Sequence, residues 1–128
     1  MNFEIKKSFP VSAETIYNAW LDSSKHTAMT GGEATCSNKA ANSFSAWDGY
    51  ITGTNIQLIP NSTIIQSWRS TDFEDNQADS QIKISLKDNN AGCTLILEHS
   101  NIPDGQPDYK NGWEEHYFQP MKDYFKNK

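Results

Sequence analysis

Between Ser80 and Ser100 the chain alternates apolar and polar residues with a period of two. Ile82, Ile84 and Leu86 alternate with Lys83, Ser85 and Lys87, and Cys93, Leu95, Leu97 and His99 share one parity beyond the Asp88-Asn89-Asn90-Ala91-Gly92 turn. This pattern predicts two half-buried strands joined as a hairpin. A looser alternation over Asn2 to Phe9 predicts a first strand, stopped by Pro10. Ser43–Trp47 and Tyr50–Ile59 flank Asp48-Gly49, a hairpin signal. Gly53 inside the second run predicts a bulge. Pro60-Asn61 makes another turn into Thr63–Ser70. Glu33–Ser37 is a further short strand candidate.

A period of 3.6 replaces the period of two at both ends. Ser12 is a good N-cap, Glu14 lies in the first turn, and Ile16, Ala19 and Trp20 come at helical spacing, so residues 13–21 read as a helix. A weaker helical piece covers Ser23–Met29, ended by Gly31-Gly32. From about 108 to 126, Trp113, Tyr117, Met121 and Tyr124 recur at i, i+4, i+8 and i+11, with Phe118 and Phe125 on the flank. Pro120 is expected to kink this long helix. Residues 71–79 are acidic and polar and read as a solvated loop. Strand, two short helices, some six or seven strands and a long C-terminal helix give an α+β domain with a mostly antiparallel sheet.

Composition sharpens this picture. The 128 residues suffice for one domain, 1–128, and four Trp, five Tyr and six Phe concentrate apolar area in few positions. A net charge of −5 suits a soluble monomer or weak dimer and argues against nucleic acid as a partner. There is no apolar run of membrane-spanning length and no leader-like N-terminus, so a cytoplasmic protein without membrane insertion is expected. Cys36 and Cys93 are then expected to stay reduced, as small buried hydrophobes. The sequon Asn61-Ser62-Thr63 carries no weight in such a protein.

Candidate chemistry is sparse. His99 reads either as a polar group inside a cavity or as a core histidine bonded to backbone, and its apolar neighbours favour the core. His116 comes after Glu114-Glu115 without the second histidine of a zinc helix, and His26 reads as solvated. Cys93 and His99 are six residues apart on one strand face, about 20 Å at ~3.3 Å per residue, too far for a nucleophile–base pair. The acidic loop of Asp72, Glu74, Asp75 and Asp79 lacks the spacing of a calcium loop. No catalytic residue, metal or cofactor is expected. Trp68 is expected on the concave face of the sheet and Arg69 on the outer face or rim. Trp20, Trp47, Trp68, Leu97, His99, Trp113, Tyr117, Met121 and Tyr124 are the candidate cavity residues.

Several segments resemble one family. They are Pro10-Val11-Ser12-Ala13-Glu14 with Ile16-Tyr17 and Ala19-Trp20, Phe44–Gly53, Asn55–Pro60 and Ile64–Arg69. Leu95-x-Leu97-x-His99-Ser100-x-Ile102-Pro103 and Gly112-Trp113-x-x-x-Tyr117-Phe118 complete the set. Together they resemble the activator of heat-shock-protein-90 ATPase homologue family of the START-like (SRPBCC) superfamily, over nearly the whole chain. The resemblance implies a helix-grip fold, a curled antiparallel sheet around a long C-terminal helix with a cavity between. It also implies a small hydrophobic or amphipathic ligand or, alternatively, a chaperone partner in the stress response. The eukaryotic co-chaperone carries a separate N-terminal domain that these residues do not include, which weighs against the chaperone reading.

Overall fold

The computed structural model describes residues 1–126. Six strands form one antiparallel sheet in the order β1-β6-β5-β4-β3-β2. They are β1 Phe3–Phe9, β2 Ser43–Ala46, β3 Ile51–Ile59, β4 Thr63–Ser70, β5 Ser80–Asn89 and β6 Gly92–Ser100. Between β1 and β2 lie α1, Ala13–Trp20, and α2, Ser23–Thr30. The candidate strand at 33–37 is reduced to a single bridge, Thr35 to Ser45, because the neighbouring N–H groups are taken by α2 side chains, Ala34 N–H by Thr27 Oγ1 and Cys36 N–H by Ser23 Oγ.

The alternation in the sequence is the burial pattern. In β6, Cys93, Leu95, Leu97 and His99 are all buried, while Glu98 is exposed. β1 closes the sheet on β6 from Phe3 opposite His99 to Phe9 opposite Cys93. The expected irregularity in β3 falls two residues beyond Gly53. The register shifts between Asn55 and Gln57, leaving Ile56 as the extra residue, 52% exposed. Gly53 answers a different need, because a Cβ there would collide with the Ser67 carbonyl and the Phe44 ring. The turn after Ile59 has Pro60 first and Asn61 second, with Asn61 at φ 62° and Ser62 N–H donating to the Ile59 carbonyl. This is type II turn geometry with the residues it favours.

The C-terminal helix is not a kinked α-helix. It runs as α3, Tyr109–Trp113, then a π-helical turn over Glu114–Phe118, then α4, Gln119–Phe125. Pro120 has no N–H for the carbonyl four residues back. The wider turn forms just before it, with Gln119 N–H donating to the Glu114 carbonyl. The additional residue rephases the rest of the helix. Tyr117, Phe118, Met121 and Phe125 are buried, whereas Tyr124, expected inside, is only half-buried. The helix is clamped onto the sheet through Phe9, whose ring lies 6.4 Å from Phe118 and 6.3 Å from Phe125.

The 71–79 loop is also less solvated than its composition suggests. Phe73 is buried, edge-on to Trp68 at 6.1 Å. Arg69 emerges from β4 with its guanidinium paired to Asp79 and donating to the Glu74 and Gln77 carbonyls, which fastens the loop down. Among the described residues no helix is long and apolar enough to cross a membrane.

Candidate functional site

Between the far end of the sheet and the start of the C-terminal helix lies a cavity of about 320 Å³. β4 supplies Trp68, and the β2–β3 turn supplies Trp47, Tyr50 and the adjoining Ile51. The helix supplies Tyr109, Gly112, Trp113, His116 and Tyr117. Six of these nine residues are Trp or Tyr, so the wall is chiefly aromatic. The mouth is formed by exposed Tyr50 and His116 with half-buried Trp47 and Gly112. The π-helical turn carries both His116 at this mouth and Tyr117 in the wall.

Two hydrogen-bond networks fix the floor. His99 is fully buried, and an indole and a hydroxyl determine its tautomer. The Trp113 indole can only donate, so its Nε1–H at 3.1 Å makes His99 Nδ1 an acceptor. His99 Nε2–H then donates to Ser80 Oγ at 2.8 Å, and Ser80 donates to the Trp68 carbonyl at 2.8 Å. Burial pushes the His99 imidazole down to about 3, so it is neutral. With both nitrogens engaged it offers nothing to a substrate. This is the core histidine, bonded through a serine to backbone.

The second network was hidden in the sequence. His26, expected to be solvated, is buried, because α2 packs against the π-helical turn and α4. Its Nδ1–H donates to the Trp20 carbonyl at 2.8 Å, so Nε2 accepts from the Tyr117 hydroxyl at 3.0 Å. Burial lowers the imidazole's pKa, with the Trp20 carbonyl opposing. Burial also raises the Tyr117 phenol. Half-buried Cys36 has its sulfur 3.5 Å from His26 Nδ1, and burial holds its thiol up at about 11, where it is not a nucleophile. Cys93, fully buried, is likewise pushed up to about 11 by burial first and the Asp88 charge second.

The nine candidate side chains divide in two. Trp47, Trp68, Trp113 and Tyr117 are brought together around the cavity. Trp20 stands behind this wall, stacked on Tyr117 at 5.1 Å and on Trp113 at 6.1 Å, with its N–H on Gln66 Oε1. His99 lies beneath Trp113, while Leu97 and Met121 are wholly buried core residues that do not line the space. Tyr124 faces a groove beside α1, with Glu14 and Asn18. Tyr50, Ile51, Tyr109, Gly112 and His116 belong to the lining but were not anticipated. Tyr50 and Tyr109 sit in a turn and at a helix start, where no periodicity marks facing.

The mouth is under backbone strain. Trp47 and Asp48 are the central residues of the β2–β3 turn at φ 52° and 57°, closed by Gly49 N–H to the Ala46 carbonyl at 3.2 Å. Both are left-handed, which suits Asn or Gly and is an outlier for a side chain as bulky as Trp. Trp47 packs its ring on Gly32, where a Cβ would overlap it, and meets His116 edge-on at 5.7 Å. Its indole Nε1 is buried without a hydrogen-bond partner, the only such side-chain atom among the described residues. Also among the described residues, no three His, Cys, Asp or Glu side chains gather as metal ligands would.

A family model described as Activator of Hsp90 ATPase homolog 1-like protein matches residues 10–126. The human Activator of 90 kDa heat shock protein ATPase homolog 1 is 25% identical over 122 residues, covering 94% of this chain and 36% of the human protein. The Dictyostelium discoideum Activator of 90 kDa heat shock protein ATPase homolog is 27% identical over 124 residues, covering 95% and 32%. The chain thus spans about a third of the length of these curated relatives. An HSP90 activator from Plasmodium falciparum superposes with a TM-score of 0.86 at 24% identity, covering 97% of this chain and 95% of that one. The solution structure of the Aha1 dimer from Colwellia psychrerythraea gives 0.82 at 16% identity, covering 99% and 97%. At these identities the structural likeness establishes the fold.

Proposed function

Since this chain belongs to the Activator of Hsp90 ATPase homolog 1-like family, with its START-like fold, we propose that it is a cytoplasmic binding domain for a small hydrophobic or amphipathic ligand. The observation that carries this reading is the aromatic cavity of about 320 Å³ at the sheet–helix junction, with its mouth at the surface. That volume lies at the lower end of small-molecule sites, which are concave, largely apolar and provided with a few polar groups. Both buried histidines have their ring nitrogens engaged and the thiols are held up by burial, which supports a reading of binding.

The test is a ¹H–¹⁵N titration of the protein against a library of lipids and aromatic metabolites. Saturable shifts gathering at Trp47, Trp68, Trp113 and Tyr117 are expected. A folded protein whose spectrum no compound perturbs would sink the reading.

A second reading, a stress-response module that contacts a chaperone, is favoured by the curated relatives, named as activators of 90 kDa heat shock protein ATPase, which align with 94–95% of this chain. It predicts stimulation of the chaperone's ATPase by the added domain, and a flat ATPase rate at saturating domain would remove it.

A further inference from the structure

The charge around the cavity is one-sided. No Asp, Glu, Lys or Arg lines the wall itself, which presents three indoles and three phenols. Asp72 is tied to it from outside: the Tyr50 O–H donates to its Oδ2 at 2.6 Å, and Asp72 is exposed. Tyr109 belongs to the same polar edge. Its O–H donates to Gln106 Oε1 at 2.7 Å, Ser70 Oγ lies 2.6 Å from its oxygen, and the Asp72 backbone N–H donates to that Ser70 Oγ at 3.1 Å. Burial raises the Tyr109 phenol, and the Asp72 charge adds to the rise while bonds from Ser70 and Tyr50 oppose it. With both phenol hydrogens committed to acceptors, this edge has lone pairs and a carboxylate to offer. The charged residues that adjoin the lining in sequence lean the same way. Arg69 and Glu114 are held in ion pairs with Asp79 and Lys7. The others are Asp48, Asp108 and Glu115 against Lys110, all exposed, in a chain of net charge −5. His116 at the mouth can donate or accept and does not set the sign. An anion entering here meets no cation in the wall, and Asp72 repels it. A positive group meets the faces of the aromatic rings, which attract cations through their quadrupole. Because Tyr50 is 36% exposed, a charge beside it keeps part of its water.

Resting on the cavity reading above, we propose that the ligand is an organic cation: an apolar body seated against Trp68, Trp113 and Tyr117, with an alkylated ammonium at the Tyr50–Tyr109 edge under the Asp72 charge. The rings hold body and charge alike, and Asp72 gives the site its preference for a positive ligand over a neutral or negative one of the same shape. Attraction by the acidic surface speeds arrival and fades with salt.

Three probes of nearly one outline test this: naphthylmethyl-trimethylammonium, its uncharged carbon isostere neopentylnaphthalene, and the anion naphthylmethanesulfonate, all substituted at the same ring carbon. Dissociation constants are measured by ¹H–¹⁵N NMR titration of the whole chain, where shifts at Trp68, Trp113 and Tyr117 identify binding in the cavity. The ammonium probe is expected to bind about tenfold more tightly than the sulfonate, with the neutral isostere between them. In Asp72→Asn, which retains an acceptor for the Tyr50 O–H, the ratio of ammonium to neutral affinity should fall about fivefold. The ratio is the readout, since a damaged cavity weakens both probes. A sulfonate or neutral isostere that binds in the cavity as tightly as the ammonium would overturn the charge preference and retain the binding site. A ratio unchanged in Asp72→Asn would overturn the placement of the charge beside Asp72. Failure of all three probes to shift the cavity residues would overturn both this proposal and the reading beneath it. The comparison of probes on the unaltered protein stands even if Asp72→Asn does not fold.

Discussion

The floor and the mouth of the cavity are built from the same residue types and hold them in opposite ways. On the floor, Trp113, His99, Ser80 and the Trp68 backbone form an unbroken chain of hydrogen bonds around a wholly buried imidazole. At the mouth, Trp47 sits on a left-handed backbone with an unpaired N–H, leaning on a glycine and an exposed histidine. A satisfied buried network contributes rigidity and one defined geometry. Strain and an unmet donor, by contrast, leave a position that gains by changing its surroundings. One end of the wall is therefore suited to stability and the other to exchange.

The largest expected effect would come from breaking the floor. Trp113→Ala should cost about 4 kcal/mol of folding stability, as large aromatic truncations in cores do, measured by urea denaturation. A loss below ~1 kcal/mol would mean that the floor is no more structural than the mouth. Acid sharpens the same contrast. The unfolded chain takes up a proton near 6.5, whereas folded His99 resists it down to about 3. Between these values the unfolded state binds more protons, so this contribution to stability is complete above pH 6.5 and falls as the pH drops. One such histidine contributes a slope of about 1.4 kcal/mol per pH unit, and buried His26, also lowered, adds to it. In His99→Gln the slope between about pH 6 and about pH 4.5 should fall by roughly one proton's worth. An unchanged slope would mean that His99 is protonated in the fold. The smallest effect belongs to the mouth. Gly32→Ala displaces the Trp47 ring and should change stability by under ~1 kcal/mol while shifting tryptophan fluorescence and weakening probe binding. A cost like that of Trp113→Ala would erase the distinction between the two ends.

The parts of the molecule legible in the sequence are those that repeat. Strands β5 and β6 are given by alternation, and α1 by Ser12, Glu14 and the Ile16–Trp20 spacing; the structure has Ser12 Oγ accepting from Thr15 N–H. The parts that were not legible depend on single residues meeting across the chain. His26 lies in a weakly patterned helix, and nothing local announces that Tyr117, 91 positions on, will cover it. The π-helical turn alters the period itself, so a stripe extrapolated at 3.6 residues per turn selects Tyr124 where the helix presents Phe125. Trp47 could be read as an aromatic beside a turn, but Asp48-Gly49 drew the turn one residue too late. Ala46 ends the strand, and the tryptophan itself is the first central residue.

The pairing of β1 with β6 has a consequence in time. Phe3 meets His99 and Phe9 meets Cys93, so β1 has its partner only after roughly ninety further residues have been made. Loops that long close slowly, and proteins dominated by such distant pairings fold in milliseconds to seconds. The hairpins from β3 to β6 can form from neighbouring sequence. During that delay Phe3, Ile5 and Phe9 remain in search of cover. The aromatic helix is tied to the same pairing, because its Phe118 and Phe125 pack on the Phe9 that β1 brings.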